Sequence, residues 1–120
     1  PMVYRVHFIS LEVRGNCIRN KDLVYISPED SFKKSRAAID YLVSHGINVG
    51  LYNYPLCNID RKYWFLYKRS ISAEKAVYAD NCSECDFKCD CGGLFVSTLK
   101  TVDPNTYPIK LLGDKNDKSF

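Results

Sequence analysis

From Val3 to Val13 the chain is rich in β-branched and aromatic residues, with Tyr4, Val6 and Phe8 on one face and Ser10 and Glu12 following at its end. This alternation predicts a strand, which Gly15 breaks. An apolar start and a polar exit are how α/β folds present functional groups at a sheet edge. Leu23 to Ile26 is a short apolar run that fits a further strand. Ser27-Pro28-Glu29-Asp30 supplies a cap, a proline for the first helical position and acids for the first turn. Phe32, Arg36, Ile39, Leu42 and Val43 then keep a spacing near 3.6, and His45-Gly46 closes a helix predicted over 28–45.

Ile47, Val49 and Leu51 alternate toward Asn53 at a second polar exit, and Pro55 ends that strand. Strand, helix, strand joined by short turns predicts a βαβ unit with parallel strands, a right-handed crossover and both polar exits at one edge. Asp60 to Ser70 carries Trp64, Phe65, Leu66 and Tyr67 among Arg61, Lys62, Lys68 and Arg69, the pattern of a short helix with a buried aromatic face. A second apolar piece, Leu94 to Leu99, follows Gly92-Gly93. The polar end, from Gly113 through Lys118, reads as a solvated tail. The expected fold class is α/β: a βαβ portion over 1–54, a small Cys-rich, partly helical module over 55–100, and a tail over 101–120.

With 120 residues, 46% of them hydrophobic, the chain has the material for one domain with its own core. Its net charge of +3 is spread along the sequence and is too mild for a nucleic-acid platform. The basic and aromatic stretch Arg61 to Arg69 is more simply an amphipathic helix. No apolar run reaches membrane-spanning length and no signal peptide is visible, so the expected location is the cytoplasm. Six cysteines in a reducing compartment point to metal or redox chemistry instead of a disulfide framework.

Cys82-x2-Cys85-x3-Cys89-x-Cys91-Gly92-Gly93 packs four thiols into ten residues. A C-x2-C turn brings two thiolates to one centre, and the glycines let backbone approach and donate N–H groups to sulfur. Zinc and an iron-sulfur cluster both fit a four-thiolate set. Zinc ribbons, however, usually take two separated C-x2-C pairs, so one pair followed by single cysteines tilts toward a cluster. Cys57, at the end of the second strand, reads either as a distant ligand or as a buried free thiol. Cys17 has no partner. Neither His7, in mid-strand, nor His45, at a helix end, is read as a ligand, and Glu12 reads as a general base, a cofactor contact or a solvated carboxylate.

Four short segments in order, Phe8-Ile9-Ser10-Leu11-Glu12-Val13-Arg14-Gly15, Tyr52-Asn53-Tyr54-Pro55-Leu56-Cys57, Ser70-Ile71-Ser72 and Cys82-x2-Cys85-x2-Lys88-x2-Cys91-Gly92-Gly93, resemble the C-terminal part of the His-Xaa-Ser system radical SAM maturases. The resemblance runs over most of residues 3–96. It implies that the βαβ unit closes a partial radical SAM barrel and that Cys57, Cys82, Cys85 and Cys91 hold an auxiliary 4Fe-4S cluster, while Cys89 does not match the family's motif and is either the alternative ligand or a free thiol beside the cluster. Such enzymes cleave S-adenosylmethionine on a C-x3-C-x2-C cluster, and this sequence has no such triplet; Cys82, Cys85 and Cys89 have the reversed spacing. The resemblance therefore implies a fragment or separately encoded half, inactive alone, whose partners are the remainder of the barrel and a precursor peptide. A zinc-stapled interaction domain without redox role is the alternative.

Overall fold

The computed structural model describes residues 2–111, so Gly113 to Lys118 of the expected tail lie outside the described residues. β1 (Arg5–Ile9) is followed by two single-turn helices, α1 (Asn16–Arg19) and α2 (Lys21–Val24), and by the long helix α3 (Pro28–Ser44). α3 begins where its capping sequence predicts: the Ser27 Oγ accepts from the Asp30 N–H at 3.2 Å, with Pro28 in the first turn. It ends at His45, and Gly46 turns the chain with φ of 74°.

β2 (Asn48–Tyr52) runs parallel to β1, Val6 opposite Val49 and Phe8 opposite Leu51. Both strands are shorter than their sequence patterns suggest, because pairing stops where the polar exits begin. Leu23 and Val24 are not a strand. They close α2 with their amides on the Asn20 carbonyl, and Leu23 is 87% exposed. So short an apolar run carries no period that separates strand from helix.

The expected helix over 60–70 is also different. Arg61–Leu66 is a 3₁₀ helix, and Tyr67–Lys68 leaves it as β3, pairing parallel with Leu51 and Tyr52 of β2. Its aromatic face is buried only in part: Tyr63 and Leu66 are inside while Phe65 is 69% exposed. The result is a small mixed α/β domain with a parallel three-stranded sheet in the order β1-β2-β3. β3 comes from beyond residue 54, so the sheet spans the expected boundary between the first two regions.

The core lies between α3 and one sheet face, where Phe32 and Ile39 meet Val49, Leu51, Tyr54, Ile59, Tyr63 and Leu66. Each such side chain contributes about 1.5–3 kcal/mol on burial. Polar pins sit around it: Ser31 Oγ and Tyr54 Oη are 2.8 Å apart, and the Tyr63 hydroxyl donates to Asp40 at 2.6 Å. Beyond it, β4 (Ala76–Val77) and β5 (Leu94–Phe95) form a two-stranded antiparallel ribbon, and α4 (Val96–Thr101) follows. Among the described residues no helix is long and apolar enough to cross a membrane.

Candidate metal centre

The C-terminal edge of the parallel sheet is tied together by its polar exits. Asn53, at φ of 67°, receives the Ser70 hydroxyl at 2.8 Å and donates to the Ser10 carbonyl at 3.3 Å. Ser10 is itself buried. From this edge Pro55 leads into the 3₁₀ turn Leu56–Asn58, which carries Cys57. The ribbon β4–β5 encloses the other cysteines: Cys82 on the 3₁₀ turn Asp80–Glu84, Cys85 just after it, and Cys91 immediately before the two glycines.

Cys57, Cys82, Cys85 and Cys91 line one partly enclosed cavity of about 20 Å³, walled almost wholly by carbon and sulfur. That exceeds the roughly 10–15 Å³ a single water needs, yet the wall offers water almost no polar partners. A polar organic ligand is equally poorly served. Four thiols around a dry void are a donor set for soft, thiophilic metal.

Backbone amides aim at the sulfurs. Gly93 N–H donates to Cys91 Sγ at 3.3 Å and Ile109 N–H to Cys85 Sγ at 3.4 Å. Tyr107 and Ala79 supply backbone hydrogen bonds to the Cys57 and Cys82 thiols. At Cys57 and Cys82 these backbone bonds favour the thiolate, which is the form that binds metal. In the metal-free protein burial dominates: it pushes the Cys57 thiol up from 9.0 to about 12, with the Tyr107 amide opposing and the neighbouring thiols Cys91, Cys82 and Cys85 adding to the rise. Burial likewise raises Cys82.

Among the described residues no three His, Cys, Asp or Glu side chains converge as the ligands of a metal ion. A tetrahedral zinc draws its sulfurs to about 2.3 Å from one nucleus. The four thiols line one void without closing on one point.

Two features of the wall carried no cysteine-like signal in the sequence. The stretch 104–111, expected as tail, packs over the site: Pro104 is fully buried, Tyr107 and Ile109 line the cavity, and Asn81 donates to the Thr106 carbonyl at 2.7 Å. The Asp86 N–H bonds to the Ile109 carbonyl at 2.9 Å and Leu111 N–H to the Asp86 carboxylate at 2.7 Å. Pro104, Tyr107, Pro108 and Ile109 in sequence were the available hint, since a solvated tail has no use for them. Two tyrosines form the second feature. Tyr67 of β3 accepts from the Gly92 N–H, and Tyr78 donates to the Cys91 carbonyl at 2.9 Å. Burial lifts the Tyr67 phenol to about 12.

The other candidates stand apart. Cys89 is exposed and does not line the cavity; its carbonyl accepts from Arg69 at 2.9 Å. Cys17 sits on α1. Glu12 lies against α4, 3.4 Å from the Ser97 hydroxyl and 3.6 Å from Arg14, and is not part of the cavity wall. His7 faces Tyr52 on the sheet, and His45 bonds the Tyr41 carbonyl at 2.8 Å. No family model, curated protein or solved structure matches this chain.

Proposed function

We infer that this chain is the closing, cluster-bearing portion of a radical SAM peptide maturase, with Cys57, Cys82, Cys85 and Cys91 as ligands of an auxiliary 4Fe-4S cluster. The observation that carries this reading is the one apolar-walled cavity lined by these four cysteines, without Cys89. Two are brought by one C-x2-C turn, one by the glycine pair and one by the sheet edge some 25 residues upstream of Cys82.

When bound, such a cluster supplies one-electron transfer. The chain's own residues set the terms. Four cysteine ligands leave no open position for substrate, which favours electron relay, and amide donors on the sulfurs disperse thiolate charge and raise the potential. Leu56, Leu94 and Ile109 keep water from the sulfurs. The chain has no C-x3-C-x2-C triplet, so S-adenosylmethionine cleavage belongs to the remainder of the enzyme, acting on a precursor peptide in the cytoplasm. On this reading the three parallel strands continue a partial barrel, with Glu12 at its polar edge as a cofactor contact.

Anaerobic purification followed by metal and sulfide analysis tests the proposal. A brown protein with about four iron and four acid-labile sulfide per chain is expected. One zinc per chain and no sulfide under the same conditions would replace it with the zinc-stapled domain.

A further inference from the structure

The sheet face turned away from α3 floors a half-open trough of about 710 Å³. It is distinct from the cysteine site and has its own chemistry. Residues alternate along parallel strands, so with Val6, Phe8, Val49 and Leu51 facing α3, Arg5, His7, Asn48, Gly50, Tyr52 and Lys68 fall on the open face. Tyr52 folds back over Gly50, where an added Cβ would meet its ring at 2.9 Å, and its ring lies 4.5 Å from that of His7. This keeps the trough floor shallow. Arg5, His7 and Lys68 line it, and no Asp or Glu does. Along one wall Phe65 is 69% and Val43 38% exposed.

We propose that this trough binds an extended acidic peptide segment, its carboxylates on Arg5 and Lys68 and its apolar side chains against Val43 and Phe65. Arg5 is opposite Asn48 at the start of the strands, whereas Lys68 is opposite Tyr52 at their end and two strands across. Strand rise and spacing put the two backbone positions roughly 16 Å apart. Two carboxylates serve the two cations without drawing them together, and a peptide with acidic residues about five positions apart supplies them at about 3.3 Å per residue. The volume lies within the range of organic ligand sites, and the apolar wall between the cations has nothing to offer a chain charged at every unit. That the occupant is a peptide rests on the maturase reading; its acidity comes from the lining alone.

The test uses the full chain, metal-free and metal-loaded, and a fluorescently labelled peptide with two glutamates separated by four apolar residues. Anisotropy should show binding that weakens with added salt, and about tenfold weaker binding after glutamine replaces both glutamates or in the Arg5→Glu, Lys68→Glu double variant. Both positions are exposed, so the fold is not at risk. Equal affinity for the glutamine peptide, an unaffected double variant or absence of binding overturns the proposal. Displacement of the peptide by a sub-stoichiometric single-stranded oligonucleotide reassigns the trough to nucleic acid and overturns it too. Peptide binding by a chain that takes up no iron or sulfide when prepared anaerobically would sink the cluster and leave the trough standing.

Discussion

Phe32, Ile39, Leu51 and their neighbours give the sheet and α3 an apolar core, whereas among the described residues beyond Ile71 the buried hydrophobic ones are Leu94 and Phe95, joined by Pro104. The two regions are opposite in construction. The first is held by oil and helix propensity. The second consists of two-residue strands, 3₁₀ turns and side-chain bonds to backbone, such as Asn58 to the Asn105 carbonyl at 3.2 Å, arranged around four thiols. A segment with so little apolar surface cannot offset its own ordering entropy, and a metal group is the usual substitute for the missing core.

The largest expected effect follows from this difference. Removing the metal, or Cys82→Ala, should raise amide exchange across 76–111 to the level of an opened chain while the amides of α3 and β2 stay protected. Uniform protection without metal would erase the distinction. Next comes Phe32→Ala, expected to cost about 3–5 kcal/mol in denaturant unfolding of the sheet region. It should leave metal stoichiometry unchanged, because Phe32 belongs to the sheet core and does not line the thiol cavity.

Smaller again is the pH response of the metal-free protein. Cys57 has a folded value near 12 against 9.0 when unfolded, so the neutral thiol is favoured in the fold. Its contribution is complete below about pH 9 and is lost as pH rises toward 12, an effect on the order of a few kcal/mol. Tyr67, raised from 10.0 to about 12, adds in the upper part of that window. Thermal melts from pH 8 to 11 should fall steadily for the wild type and less for Cys57→Ala.

Gly92→Ala is expected to cost about 1–3 kcal/mol, since its new Cβ would meet the Tyr67 hydroxyl at 2.8 Å. Adding Tyr67→Phe should recover part of that loss, and a strictly additive double variant would show that the two do not couple. Smallest is Ser27→Ala, which removes the α3 cap at about 1 kcal/mol and should not alter the cysteine region.

The same contrast explains what was legible beforehand. α3 could be read from Ser27-Pro28 and the spacing through Ile39, and β1 and β2 from alternation, because those elements are specified by local pattern and one buried face. β3 could not: Tyr67 and Lys68 follow a 3₁₀ turn, and their strand state comes from Leu51 and Tyr52, distant in sequence. Leu23 and Val24 failed for want of length. At the thiol site, spacing announces Cys82, Cys85, Cys89 and Cys91 alike and does not set Cys89 apart, although it is exposed and outside the cavity wall. Cys57 was ambiguous from local sequence and was raised as a ligand by the family resemblance; the fold sets it beside the other three. The 104–111 strap and the two tyrosines had no motif at all, because what they contribute is a backbone amide or a hydroxyl whose position depends on the completed fold.

The ligand set is the central claim, and metal content in two single variants tests it most directly. Cys57→Ala, prepared anaerobically beside the wild type, should lose most of its iron and sulfide, while Cys89→Ala keeps both at wild-type levels. Full iron and sulfide in Cys57→Ala together with their loss in Cys89→Ala would contradict the assignment and move the site out of the cavity onto the exposed loop.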